Sequence, residues 1–180
     1  MLMQNRLCRL ELNFTNVDDS RFGHFQFFIP PYAGEDSRHF SRRLLTLTAL
    51  AEFQPQIAPE HSLHKRPDIQ VGDDLSIAIW AQVDRPDEKH LTRACHRSQT
   101  VLLCLEQDAA LKALDGHSHP ELISVQFDPA LLADIETWLS PIMRWSAWRD
   151  GPQVQLTNGD HLQQFDFPYH HVMQRLRFAY

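Results

Sequence analysis

A chain of 180 residues, 43% hydrophobic and 22% charged, is long enough to bury one core and too apolar to be disordered or collagen-like. Seventeen Lys and Arg against 23 Asp and Glu leave a net charge of -6 with neutral histidines, so the whole-molecule field repels phosphate backbones. A nucleic-acid partner would need a local basic patch. No window approaches the roughly 18 consecutive apolar residues of a spanning helix, and MLMQNRLCRLELNF alternates apolar with polar residues where a signal peptide has an apolar run. Cys8, Cys95 and Cys104 are odd in number and form no CxxC pair, which predicts small buried hydrophobes in a soluble protein of the reducing cytoplasm, with no membrane partner.

The pattern predicts a β-hairpin first. Leu10, Leu12 and Phe14 alternate with polar residues, a polar turn runs through Asp18 to Ser20, and Phe25, Phe27 and Ile29 alternate again up to Pro30 and Pro31. From residue 36 to 53, Phe40, Leu44, Leu47 and Ala51 recur at helical spacing, predicting an amphipathic helix. Pro55, Pro59 and Pro67 predict a long loop with one short extended piece over 54–67.

Residues 74–84 predict a central strand with Leu75, Ile77, Ile79, Ala81 and Val83 on one face and Ser76, Ala78, Trp80 and Gln82 on the other. Pro86 and Asp87 then open a helix to about Ser98, and TVLLCL at 100–105 predicts a buried strand, completing a βαβ unit. A short helix at 108–114, a strand at 122–127 and a helix opened by Asp128 and Pro129 follow. Turns at Asp150-Gly151 and Asn158-Gly159 mark a closing antiparallel meander. The whole reads as a single mixed α/β domain over 1–180, with an aromatic, mildly basic tail over 166–180 that either packs across the domain or docks elsewhere.

Four segments together resemble one family: LNFTNVDDSRF, the E-D-S-x-x-x-S-R-R-L-L stretch at Glu35 to Leu45, IAIWAQVDRPDEKHLTRAC at Ile77 to Cys95, and the closing meander. The densest part is Trp80, Pro86, Asp87 and Glu88, with Arg93 directly before Ala94 and Cys95. The sequence resembles the YaeQ family of small bacterial proteins over about residues 5–165. The resemblance implies a compact α/β fold on a variant of the PD-(D/E)XK (restriction-endonuclease-like) core, a mixed sheet flanked by helices. In such a core a helix carboxylate and strand carboxylates hold Mg²⁺, and a lysine orients the attacking water or offsets phosphate charge.

Carried over by resemblance, Glu35 keeps the helix-side acid, Ala78 and Gln82 stand where family members have an aspartate and a glutamate, and Arg93 stands where a lysine is common. Parity places residues 78 and 82 on one strand face. A methyl group ligates nothing, a neutral amide holds Mg²⁺ poorly, and an arginine cannot act as a base. The resulting expectation is a vestigial site, no catalytic residue, no cofactor, and a non-catalytic binding or interaction protein with a nucleic-acid or protein partner. The alternative is a Mg²⁺-dependent nuclease or phosphodiesterase with a relocated acidic site drawn from Glu35, Asp74 and Asp84.

Arg38, Arg42 and Arg43, with Arg93 nearby, either form a basic substrate-binding patch or a solvated helix face. The pairs His61/His64, His117/His119 and His170/His171 have metal-compatible spacing, but no third ligand is close in sequence, so they read as surface histidines. Trp80, Trp138, Trp145 and Trp148 read as core. GxGxxG, P-loop and GxSxG motifs are absent.

Overall fold

The computed structural model describes residues 6–107 and 119–177. Among the described residues ten strands form two five-stranded sheets, the first of them with a crossover that joins non-consecutive strands. In the first sheet, β1 (Cys8–Asn16) and β2 (Arg21–Ile29) make the antiparallel hairpin, in register from Cys8 opposite Ile29 to Asn16 opposite Arg21. β1 also pairs in parallel with β8 (Ile142–Asp150), which continues through antiparallel β9 (Gln153–Thr157) and β10 (Leu162–Asp166). Gly151 and Gly159 turn the two meander corners at positive φ, where a Cβ would be strained.

The second sheet runs β3 (Gln56–Ile57), β4 (Ile69–Asp73), β5 (Ser76–Gln82), β6 (Ser98–Glu106) and β7 (Leu122–Phe127). β5 and β6 are parallel and joined by α2 (Glu88–Arg97), so the βαβ unit is present as expected. Its helix starts at Asp87, whose carboxylate accepts the His90 N–H at 2.8 Å. β4, which the sequence pattern did not reveal, pairs antiparallel with β5 across a bulge at Val71/Gly72.

α1 (Ser37–Leu50) is capped by Asp36, which accepts the His39 N–H at 2.7 Å, and its last ten residues are buried except Arg42. Such all-round burial places the helix in the larger core, with residues of both sheets and of α3 (Pro129–Trp138) around it. A smaller core lies beneath α2, built from Ile77, Trp80, Leu91, Val101 and Leu103. Cys8, Cys95 and Cys104 are buried.

The tail forms α4 (Tyr169–Arg177) and packs down: Tyr169 and Val172 join the larger core, and the Tyr169 hydroxyl donates to Ala49 O at 2.7 Å. Of the four tryptophans, Trp80, Trp138 and Trp145 are core residues, whereas Trp148 is exposed on β8. The helix expected at 108–114 falls outside the described residues. No helix among those described is long and apolar enough to cross a membrane.

Candidate functional site

The site lies where the start of α1, the start of β4 and the end of β5 meet. Asp36 fixes the first turn of α1, which leaves Glu35 just before the helix and His39 and Arg43 at four-residue intervals after it. The Glu35 side chain is almost entirely shielded from solvent. Its Oε1 accepts from Arg43 Nη1 at 2.8 Å and from the Tyr32 backbone N–H at 3.0 Å, while Oε2 meets His39 Nδ1 in a very short contact. Arg43, 1% exposed, also donates to Pro30 O and lies 3.7 Å above the Tyr32 ring.

A second chain of bonds runs through β4 and β5. The Tyr32 hydroxyl donates to Asp68 Oδ1 at 2.8 Å, and Asp68 Oδ2 accepts from Gln82 Nε2 at 3.1 Å and from the Val83 N–H at 3.0 Å. Gln82 Oε1 accepts the Trp80 indole N–H at 2.9 Å, and its Nε2 also reaches Asp84 Oδ1 at 3.4 Å. Asp84 in turn stands 3.9 Å from His39 Nε2, an ionic contact too long for a hydrogen bond. Glu35, His39, Asp84, Gln82, Asp68 and Tyr32 therefore close a ring. Beside it opens a cavity of about 280 Å³ lined by Tyr32, Glu35, His39, His61 and Asp84 among others.

Cations and carboxylates face one another around this ring. Burial lowers the affinity of His39 for a proton, but contact with Asp84 and Glu35 outweighs it and lifts the imidazole to about 9, so it is a cation at neutral pH. Burial likewise pushes Asp84 upward, yet His39 and His64 outweigh it and hold the carboxyl well below the usual carboxylate range. Asp68 is raised chiefly by burial, and Tyr32 is raised by burial and by the Asp68 charge. Two cations, Arg43 and His39, thus face the carboxylates of Glu35 and Asp84.

Of the residues singled out from sequence, the structure brings Glu35, Gln82 and Asp84 to this ring. Asp74 lies elsewhere, at the β4–β5 turn, where it accepts from Gln70 Nε2 at 3.0 Å beside a separate groove lined by Lys65 and Arg66. Ala78 is the bulged residue of β5: Gly72 pairs with Ile77 and Val71 with Ile79, leaving Ala78 without a partner on β4. The alternation that would put residues 78 and 82 on one face is broken there. Ala78 packs against the larger core, whereas Trp80 packs in the smaller one and backs Gln82.

Arg93 is exposed on α2 and forms no ion pair among the described residues. The three α1 arginines are not a free basic surface. Arg38 pairs with Glu106 and Glu136 and donates to Pro129 O, Arg42 donates to Val83 O at 3.0 Å, and Arg43 is buried.

Sequence reasoning missed Tyr32, His39 and Asp68, and it placed His61 and His64 on the surface. Both histidines instead turn inward to Asp84: His61 Nε2 lies 3.4 Å and His64 Nε2 3.1 Å from Asp84 Oδ2. The missing third group is 20 residues beyond His64, across β4 and β5, and no local spacing shows it. The rings of His39, His61, His64 and His90 follow one another edge to face at 6.4, 5.8 and 6.0 Å between centroids. His170 and His171 are exposed on α4, and His117 falls outside the described residues.

Two sheets wrapped around a buried helix, with a polar cleft at the carboxyl end of a parallel strand, define a mixed α/β protein whose site sits where open α/β sheets usually place one. The model of the family described as YaeQ protein matches residues 1–166, and the chain belongs to that family. Its fold is similar to the crystal structure of YaeQ protein from Pseudomonas syringae, with a TM-score of 0.77 at 17% identity over 89% of this chain and 92% of that one. The YaeQ protein from Xanthomonas axonopodis pv. citri gives a TM-score of 0.77 at 17% identity, covering 89% and 95%. No curated protein sequence matches the chain.

Proposed function

We propose that this chain is a non-catalytic binding protein built on a nuclease-type core whose Mg²⁺ site has closed into an internal polar ring. The observation that carries this reading is the complete commitment of Glu35: both carboxylate oxygens are taken by Arg43, His39 and the Tyr32 N–H, and the side chain is 2% exposed. Mg²⁺ requires several hard, anionic oxygens in octahedral array. Here the amide of Gln82 stands between Asp68 and Asp84, and the positive charges of Arg43 and His39 already offset the carboxylates.

A protein partner fits the chemistry better than a nucleic acid, because the net charge is -6 and the α1 arginines are paired internally. Three buried cysteines, odd in number, support a reducing cytoplasmic setting.

A relocated metal-dependent phosphodiesterase has one observation in its favour, that Asp84 lines the same cavity as Glu35. The His39 imidazole stands between those two carboxylates, so a Mg²⁺ ion bridging them would have to displace it. Incubation with single- and double-stranded DNA and with RNA, in Mg²⁺ or Mn²⁺, distinguishes the readings. The expected result is no cleavage. Cleavage abolished by both Glu35→Gln and Asp84→Asn would replace the binding reading with the phosphodiesterase.

A further inference from the structure

We infer that His61, His64 and Asp84 form a binding site for a first-row divalent cation of the Zn²⁺ class, at the mouth of the cavity beside Glu35. This goes beyond the functional reading above and does not depend on it. One ligand atom from each residue lies within 4.8 Å of the other two. Both imidazole Nε2 atoms approach the same carboxylate oxygen, Asp84 Oδ2, at 3.4 and 3.1 Å. A tetrahedral ion with ligands at about 2.1 Å sets neighbouring ligand atoms about 3.4 Å apart, so these atoms already have nearly the required spread.

The second observation is His64 itself. Its Nε2 is shielded from solvent and makes no properly directed hydrogen bond, although Asp84 Oδ2 lies 3.1 Å away. With the ring proton on Nδ1, the imidazole would offer its Nε2 lone pair to an ion held between it and Asp84. The loop carries unfavourable backbone to achieve this, with Leu63 at φ 53 and His64 at φ 66, both left-handed and neither a glycine. It is pinned by Ser62, whose hydroxyl accepts the Arg66 N–H and donates to Arg66 O, each at 3.0 Å.

Asp84 is oriented for the same task. Gln82 Nε2 holds its Oδ1, which leaves Oδ2 to face the histidines. A glutamate at 82 could not donate that bond and would repel Asp84. The residue that spoils a Mg²⁺ site is therefore the one that positions the carboxylate of this one. Two imidazoles and one carboxylate suit Zn²⁺, Co²⁺ or Fe²⁺ and not Mg²⁺, and the adjoining cavity leaves room for a water or an exogenous ligand in the remaining position. In taking the ion, His61 shifts its proton to Nδ1 and gives up the long 3.3 Å bond that Nδ1 accepts from the Leu63 N–H.

The test is titration of tag-free, chelator-stripped protein with Co²⁺, followed by its visible d–d absorption, and with Zn²⁺ in competition. Wild-type protein is expected to take up one equivalent with the intense bands of a four- or five-coordinate site, undisturbed by a large excess of Mg²⁺. His64→Ala and Asp84→Asn should each weaken binding at least tenfold, and His170→Ala, on the exposed face of α4, should leave it unchanged. Thermal melts in chelator establish that the variants are folded; if His64→Ala is not, His61→Gln takes its place. Wild-type affinity no greater than that of the variants, or only the weak bands of hexaaqua-like Co²⁺, overturns the site. Mg²⁺-dependent cleavage of nucleic acid would overturn the functional reading and leave this inference standing.

Discussion

The indole N–H of Trp80 donates to Oε1 of Gln82 at 2.9 Å, and this bond fixes the direction of the whole Gln82 amide. An indole nitrogen can only donate, so the atom facing it must be the oxygen, and the NH₂ group must face Asp68 and Asp84. An amide is the one side chain of this length that can accept from Trp80 and donate to two acids at once.

Gln82→Glu should accordingly destabilise the metal-free protein, by about 3 kcal/mol, because it sets a third carboxylate against Asp68 and Asp84 and removes both donors. Urea denaturation in chelator measures the loss. The deficit should shrink as the pH is lowered and the acids protonate; an equal deficit from pH 5 to 8 would count against the electrostatic cause.

Ala78→Asp should cost roughly 1–3 kcal/mol without conferring Mg²⁺ affinity, alone or combined with Gln82→Glu. The new carboxylate would enter the larger core at the bulge and not join the ring. Calorimetric titration with Mg²⁺ reads the outcome, and micromolar affinity in the double variant would show that residue 78 does reach the site.

His39 should give the metal-free protein a pH-dependent stability. Its folded value of about 9 lies above its ordinary value of 6.5, so the contribution is complete below about 6.5 and is lost as the pH rises through 9. The unfolding free energy in chelator should fall across that window, by roughly 1–3 kcal/mol in all, and His39→Gln should flatten the fall. Nitrogen NMR of the ring provides the direct titration.

Just beyond the C-terminal end of α1, Arg149 lies 3.8 Å above the Tyr169 ring and makes a very short contact with Glu52, whose other oxygen accepts from Asn16 at 3.0 Å. Arg149→Ala should cost about 3 kcal/mol by stranding Glu52, and joint replacement of Arg149 and Glu52 by leucine should cost much less. Tyr169→Phe, which loses only the bond to Ala49, should cost about 1 kcal/mol. Thermal unfolding ranks the three.

The βαβ unit around β5 was legible because apolar alternation, the Asp87 cap and an apolar strand are local signals. The strand β4 was not: Ile69-Gln-Val-Gly-Asp is short, follows Pro67 and is interrupted by Gly72, where an added Cβ would lie 2.5 Å from Ser76 O. The same bulge misled the parity argument for Ala78, since extra residues are invisible until the partner strand is known. Glu35 could be picked out by resemblance, but its neutralisation by Arg43 comes from a helix turn and a proline carbonyl. The histidine–aspartate set escaped notice because its members meet only after β4 and β5 have paired.

Two of the three cysteines turn the protein into its own reporter of opening. Only a thiolate reacts with alkylating reagents at a useful rate, and burial pushes the Cys104 thiol up to about 12 and Cys95 up to about 11. Cys104 sits on the second half of β6 in the larger core, while Cys95 sits on the buried face of α2 in the smaller one. Labelling of Cys95 therefore clocks the lifting of one helix, and labelling of Cys104 clocks separation of the two sheets. The ratio of the two rates measures how far the halves of this molecule come apart independently, with no probe added to the chain.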